Sequence, residues 1–126
     1  MRPLVAAALI AGLLACSGAA TPEQAARAAK TDAAIEAALA KHFRPDFPEV
    51  AEWSSENGSV TFKVDVSKLP TGSDVSSEAK GLASGAAMIA SEKTGTFATA
   101  RALYRSGDLI CSATANGAVI VRTHCM

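Results

Sequence analysis

An alternating pattern of apolar and polar residues from Val60 to Val66 constrains the fold of this chain more than any other feature. Valine or phenylalanine occupies every second position, and threonine, lysine and aspartate stand between them. A two-residue period of this kind predicts a β-strand with one apolar and one polar face. The segment from Val50 to Ser54 can pair with this strand across Glu56-Asn57-Gly58, because Gly58 can adopt the positive φ of a tight turn. We therefore expect a β-hairpin.

A helix is predicted before this hairpin, over residues 22–44. Thr21 and Gln24 have the spacing of a capping box, and Pro22 suits the first helical position. The alanine-rich segment that follows has high helix propensity, and Pro45 disfavours helical conformation in the residue before it. A narrow apolar stripe at four-residue intervals consists of Ile35, Leu39 and Phe43. We expect this helix to pack on the domain through its C-terminal half only.

A second helix is predicted after the loop from Pro70 to Asp74, with Ser73 or Asp74 as its cap. Gly95 suits the residue after its last turn. Gly81 and Gly85 form a small-xxx-small pair, which predicts a close contact between this helix and the sheet. The expected buried face consists of Val75, Ala79, Leu82, Ala86 and Ile89.

The rest of the chain predicts three further strands joined by short turns. Thr96 to Arg105 turns at Ser106-Gly107-Asp108 into Leu109 to Thr114, and Asn116-Gly117 turns the chain into Ala118 to Cys125. The predicted order is α-ββ-α-βββ, an α+β fold with an antiparallel sheet of about five strands and two helices in a two-layer sandwich. A chain of 126 residues fits one such domain.

The first residues have the features of an export signal. The free amine of Met1 and the guanidinium of Arg2 are positively charged, and the run from Leu4 to Leu14 contains no charge. This run has the length of a signal-peptide core and is too short to span a bilayer as a helix. The expected division is a signal peptide at 1–15, a lipidated tether at 16–21, an N-terminal helix at 22–44 and a small α+β domain at 45–126.

Leu13-Leu14-Ala15-Cys16 resembles the lipobox of bacterial lipoproteins. The resemblance covers only this segment and implies that Cys16 is lipidated after cleavage before it, which anchors the chain to a membrane. By the same analogy, Ser17 after the cysteine implies the outer membrane, facing the periplasm. The first predicted helix could then serve as a spacer. The alternative is an ordinary secreted protein that is cleaved after Ala19 or Ala20.

The charge balance limits the classes of partner. Lys+Arg and Asp+Glu each number 12, which argues against a nucleic-acid partner because that class needs a basic patch for the phosphates. No run of like charges indicates electrostatic docking on anionic lipid. No sequence motif indicates a cofactor or a metal site.

Cys111 and Cys125 are the remaining cysteines if Cys16 carries lipid. An even number in an oxidising compartment favours a disulfide. Matching the apolar faces of the last two strands requires a loop with an odd number of residues, such as residues 115–117, which places Cys111 opposite Val121. Cys125 then lies about 13 Å away along the strand. A disulfide would therefore require a shifted register or the departure of the last residues from the strand, and two buried thiols are the alternative. Beside them, His124 is expected to face solvent and not to bind metal.

Catalytic patterns are weak in this sequence. Glu49 and Glu52 near Trp53 could form a carbohydrate-hydrolysing site, but nothing in the sequence sets their separation. Ser84 and Ser106 lack the glycine pattern of a nucleophile elbow. His42, near the end of the first helix, suits an interaction with the helix dipole.

These observations favour a non-enzymatic, lipid-anchored envelope interaction protein, such as an accessory factor, an inhibitor or an immunity protein. Its contact with an envelope protein is expected at a sheet edge or at Trp53, because exposed tryptophans often anchor interfaces. Core packing is the alternative role for Trp53. A small envelope hydrolase and a binder of small apolar ligands are the alternative functions.

Overall fold

The computed structural model describes residues 21–126, so the predicted signal peptide and Cys16 lie outside the described residues. The described helices are α1 (Pro22–Phe43) and α2 (Val75–Thr94). The strands are β1 (Val50–Glu56), β2 (Ser59–Val64), β3 (Ala98–Tyr104), β4 (Leu109–Asn116) and β5 (Val119–Cys125), with a short 3-10 helix (Val66–Lys68) before α2. The predicted α+β class and the order α-ββ-α-βββ are confirmed.

The five strands form one sheet in the order β1-β2-β3-β4-β5. All neighbouring strands are antiparallel except β2 and β3, which run parallel. The prediction of a purely antiparallel sheet is therefore wrong at this pair. The reason is that α2 connects β2 to β3 as a crossover, so β3 starts at the same end of the sheet as β2.

Both helices pack on one face of the sheet, as predicted. The core contains Val60, Phe62 and Val64 from β2, alanines from β3 and β4, and the alanine face of α2. The buried face of α2 is wider than predicted, because Ala83, Ala87 and Ala90 are also fully buried. Small side chains on both surfaces allow the helix to lie close to the sheet, so few large side chains are needed to fill the core.

Helix α1 packs only through its C-terminal half, in agreement with the prediction. Ile35, Leu39 and Phe43 are buried, whereas most residues before Thr31 are exposed. The capping box is present: the Thr21 hydroxyl accepts the Gln24 N–H at 3.1 Å, and the Gln24 side chain accepts the Thr21 N–H at 3.0 Å. The first half of α1 therefore extends beyond the body of the domain.

The β4–β5 hairpin has a different register from the one predicted. Asn116 pairs with Val119 across a two-residue turn, and a bulge follows on β5 near Val121. The expected three-residue loop, with Cys111 opposite Val121, is wrong. The later position of the turn, at residues 117 and 118, and the extra residue of the bulge together place Cys125 directly opposite Cys111.

Gly81 and Gly85 do not contact the sheet, contrary to the prediction. Neither a Cβ added at Gly81 nor one added at Gly85 would meet a strand, and at Gly85 it would lie 3.0 Å from Nε2 of His42. The small-xxx-small pair therefore faces the end of α1, because the alanines of α2 occupy the helix–sheet contact instead. Within residues 21–126, neither helix has the length and apolar character needed to cross a membrane.

Candidate functional site

The face of the sheet opposite the helices is uncovered in the described part of the chain. We call it the open face. The strand registers place one row of polar side chains across all five strands, at Ser54, Thr61, Arg101, Ser112 and His124. A second row includes Thr99 and Thr114, whose hydroxyls are 2.9 Å apart, followed by Arg122. The open face is thus broad, hydroxyl-rich and accessible.

Charge is distributed unevenly across the open face. On the β1 side, Glu52 lies 4.0 Å from Nζ of Lys63, so these two charges largely offset each other. On the other side, Arg101 and Arg122 form no ion pair with a described residue. Arg101 donates only to the Thr61 hydroxyl, at 3.4 Å. The half of the open face formed by β3, β4 and β5 therefore carries net positive charge.

Two carboxylates from α1 cover the end of the free edge of β1 and the turn that follows it. The Asp32 carboxylate accepts hydrogen bonds from the Ser55 hydroxyl at 2.7 Å and from the N–H groups of Asn57 and Gly58, both at 2.8 Å. Glu36 accepts the Ser55 N–H at 2.9 Å. Asn57 and Gly58 both have positive φ, which is the turn geometry of a tight hairpin. The helix therefore holds both the turn and the strand edge.

The electrostatics of Asp32 agree with this role. Partial burial raises its pKa, but the hydrogen bonds from Ser55, Gly58 and Asn57 outweigh this effect and hold the pKa below its ordinary value. Hydrogen bonds to the charged form favour that form. Sequence reasoning missed this contact. Its only sequence signal is the four-residue spacing of Asp32 and Glu36, which places both carboxylates on one flank of the helix.

Trp53 lies on the helix side of β1 and is half-buried. Its ring centroid is 5.6 Å from that of Phe43, and the guanidinium carbon of Arg44 lies 5.0 Å from its centre. A β-bulge between Val50 and Glu52 also interrupts this edge. Bulges and covering side chains are common means of preventing strand addition at a sheet edge. Trp53 therefore packs into the domain and is partly shielded by Arg44.

The free edge of β5 is open, in contrast to that of β1. The Met126 N–H donates to the Ile110 carbonyl at 3.0 Å, so the backbone groups of Met126 point toward β4. Because inward and outward groups alternate along an antiparallel strand, the N–H and C=O groups of Thr123 and Cys125 face outward. Among residues 21–126, no element lies beyond β5 in the sheet. We call this row of outward groups the β5 edge.

A disulfide between Cys111 and Cys125 joins β5 to β4 in the structure. Cys111 is fully buried and Cys125 half-buried, so the bridge lies on the helix side of the sheet. His124 lies on the opposite side and is exposed, in agreement with the prediction that it faces solvent, and Arg122 is exposed beside it. The edge strand is thus held covalently to the core while its outer side stays accessible.

Apolar side chains are also concentrated at the β5 edge. The exposed fraction is 62% for Val119, 50% for Val121 and 80% for Met126. Phe97, which precedes β3 at the same end of the sheet as Val119, is 58% exposed. Large apolar residues exposed along a sheet edge beside polar ones are typical of contact surfaces. The open face and the β5 edge therefore form one continuous candidate site.

The residues predicted for a hydrolase site do not come together. Glu52 and Trp53 are consecutive on β1, so their side chains point to opposite faces of the sheet. Glu49 is buried just before the strand, with 6% of its surface exposed. The structure thus places these three side chains in three different environments.

A groove of about 330 Å³ lies between the end of α1 and the outer flank of α2. The His42 ring packs between Phe43 and Phe47, with centroid distances of 5.2 and 5.4 Å, and covers Gly85. Ser84 and Glu78 contribute polar groups to the same groove. The small residues of α2 thus leave space on the outer flank of this helix, away from its contact with the sheet.

No group of three or more His, Cys, Asp and Glu side chains in the described residues is arranged to hold a metal ion. Fold and site together define a two-layer α+β module with an uncovered sheet face. No family model, curated protein or solved structure matches this chain.

Proposed function

We propose that this chain is a lipid-anchored interaction protein of the bacterial cell envelope, without catalytic activity, which binds an envelope protein through the open face and the β5 edge. The lipid on Cys16 holds it in the outer membrane, facing the periplasm. The observation that carries the proposal is the open face itself: five strands wide, rich in hydroxyls, and positively charged at Arg101 and Arg122 without an ion-pair partner among the described residues.

The exposed first half of α1 supports the tethered arrangement. The residues between Pro22 and Thr31 pack against little of the domain, and a helical segment of this length extends about 15 Å at 1.5 Å per residue. A spacer of this kind separates the domain from the membrane surface. Since the segment from Cys16 to Thr21 is short, the domain would remain close to the bilayer but free to present its open face.

Site-specific photo-crosslinking in cells tests the contact surface. A photo-crosslinking amino acid at Ser112, on β4 in the positively charged half of the open face, is expected to capture one envelope protein. The same amino acid at Lys80, exposed on α2 on the opposite side of the domain, is the matched control and should not capture that protein. Equal capture from both positions, or none from Ser112, would contradict the proposal.

The anchor is tested separately with Cys16→Ser. Metabolic labelling with radioactive palmitate should label the wild-type chain and not the variant, and only the wild type should remain with membranes after fractionation. If the variant still fractionates with membranes and the wild type takes up no label, the lipid anchor is refuted.

The groove beside His42 supports a second candidate function, the binding of a small, largely apolar ligand. Anilinonaphthalene sulfonate fluorescence is the probe. Ser84→Trp fills the groove, and Ser106→Trp lies at the exposed turn before β4. The proposal is supported if the wild type and Ser106→Trp bind the probe and Ser84→Trp does not. Equal binding by all three proteins would refute it.

A further inference from the structure

We infer that the partner contributes an extended, acidic segment that pairs with β5 as a sixth strand of the sheet. This inference rests on the proposed function and specifies the chemistry of its contact. Unpaired outward backbone groups, positive charge and exposed apolar side chains meet at this edge and at no other edge of the described sheet.

The backbone of the β5 edge can accept another strand. Thr123 and Cys125 present N–H and C=O groups outward, and an added strand gains affinity mainly from main-chain hydrogen bonds of this kind. The disulfide to Cys111 keeps β5 in place, so little order has to be gained on binding. The bulge near Val121 confines regular pairing to the segment after it.

The side chains of β5 determine which strand fits. Arg122 and His124 stand two residues apart on the open face, and Arg101 lies two strands away in the same row as His124. Directly opposite positions on neighbouring strands favour opposite charges and disfavour like charges. A strand with a carboxylate at every second position would place its acidic side chains beside Arg122 and His124, and an apolar residue at one end would reach Val119 or Val121.

A second copy of this chain fits the β5 edge less well. A symmetric antiparallel pairing centred on Arg122 places two arginines opposite each other, and one centred on Thr123 offers Arg122 of each copy the imidazole of His124 and no carboxylate. The β1 edge of a second copy carries acidic residues, but its Ser55 N–H is already bound by Glu36 and its bulge interrupts pairing. The observations therefore favour a different, acidic chain.

Fluorescence anisotropy with defined peptides tests this inference on the purified full chain in detergent micelles. The probes are a labelled peptide of four Glu-Val repeats and a matched peptide of four Lys-Val repeats. We expect the acidic peptide to bind at least tenfold more tightly than the basic one, and this preference to weaken as salt is raised.

Two variants separate the backbone contribution from the charge contribution. Thr123→Pro removes an N–H that faces away from β4, and an edge strand tolerates proline at such a position. This variant is expected to abolish peptide binding. Thr123→Ala keeps the N–H and is the matched control. Arg122→Glu, which leaves the backbone unchanged, should weaken acidic-peptide binding about tenfold and strengthen binding of the basic peptide. Equal binding of both peptides, no binding of either, or unchanged binding by both Thr123→Pro and Arg122→Glu would overturn the inference.

Crosslinking in cells distinguishes failure of this inference from failure of the proposed function. A photo-crosslinking amino acid at Val121 should capture the same protein as one at Ser112, through a segment with excess Asp and Glu. Capture from Ser112 but not from Val121 would leave the interaction module standing and refute strand addition at β5. Loss of capture from both positions would refute both.

Discussion

Removal of the disulfide tests whether β5 depends on it. The bridge joins residues 14 apart in sequence, so it closes a loop of about 15 residues in the unfolded chain. A loop of that size corresponds to about 3 kcal/mol of stabilisation through the unfolded state. Domains of this size are stabilised by about 5–15 kcal/mol in total, so we expect Cys111→Ala/Cys125→Ala to lose a large part of its stability.

Guanidinium unfolding of the wild type with and without reductant, beside the double variant, measures this loss. Reductant should lower the midpoint of the wild type and leave that of the double variant unchanged. The double variant also loses the buried sulfur of Cys111, so a slightly greater loss than in the reduced wild type is expected. The slope of the transition serves as a check that the unfolded states expose comparable surface.

Hydrogen exchange shows whether the loss is local as well. The inward amides of β5, at Arg122 and His124, should exchange much faster after reduction, whereas those of β2, between two strands at the other side of the sheet, should change only with global stability. If reductant changes neither the unfolding midpoint nor the exchange of β5, the argument that the disulfide holds the edge strand is wrong.

Three further substitutions have defined outcomes in thermal or chemical unfolding. Asp32→Asn should lower the free energy of unfolding by about 1 kcal/mol near neutral pH. The pKa of Asp32 is held below its ordinary value of 3.8 in the folded chain. This difference from wild type should therefore persist above pH 3.8 and shrink as the pH falls through the pKa of the folded state. An unchanged difference under strongly acidic conditions would contradict this role. Gly58→Ala should lower the free energy of unfolding by about 1–2 kcal/mol because of the positive φ at this position. The loss should be greater still because the new Cβ would lie 2.9 Å from Cγ2 of Thr94. Gly72→Ala is the control: Gly72 also has a positive φ but no such contact, so its loss should be smaller. Leu39→Ala should cost about 2–5 kcal/mol, since this side chain is fully buried between α1 and the domain, and a loss below 1 kcal/mol would contradict that packing.

Local sequence signals predicted the elements of this fold well. The capping box at Thr21, the end of α1 before Pro45 and the left-handed Gly95 after α2 all depend on residues within a few positions of each other. The alternation of apolar and polar residues along β2 likewise indicates which of its side chains are buried. Features of this kind could be predicted because the residues that determine them are adjacent in the chain.

The pairing between elements could not be predicted as well, for a physical reason. The parallel pairing of β2 with β3 depends on where α2 packs on the sheet. Because α2 is rich in alanine, its sequence does not show how many of its residues are buried. The register of β5 depends on the exact position of the turn and on one bulge, and one inserted residue changes every later partner, including that of Cys125. The contact of Asp32 with the hairpin turn joins residues more than twenty positions apart.

The two edges of the sheet are treated differently, and the difference bears on function. An exposed strand edge invites pairing with other chains, so a protein without use for it gains by blocking it. At β1 this chain supplies two carboxylates of α1 that bind Ser55, the Arg44 side chain over Trp53, and a bulge near the start of the strand. At β5 a bulge and positive charge limit which strands can pair, yet the outward groups of Thr123 and Cys125 remain accessible and the disulfide holds them in position. Positive charge repels another copy of the same edge but attracts an acidic strand. The β5 edge is therefore better explained as a selective contact than as an incompletely protected edge.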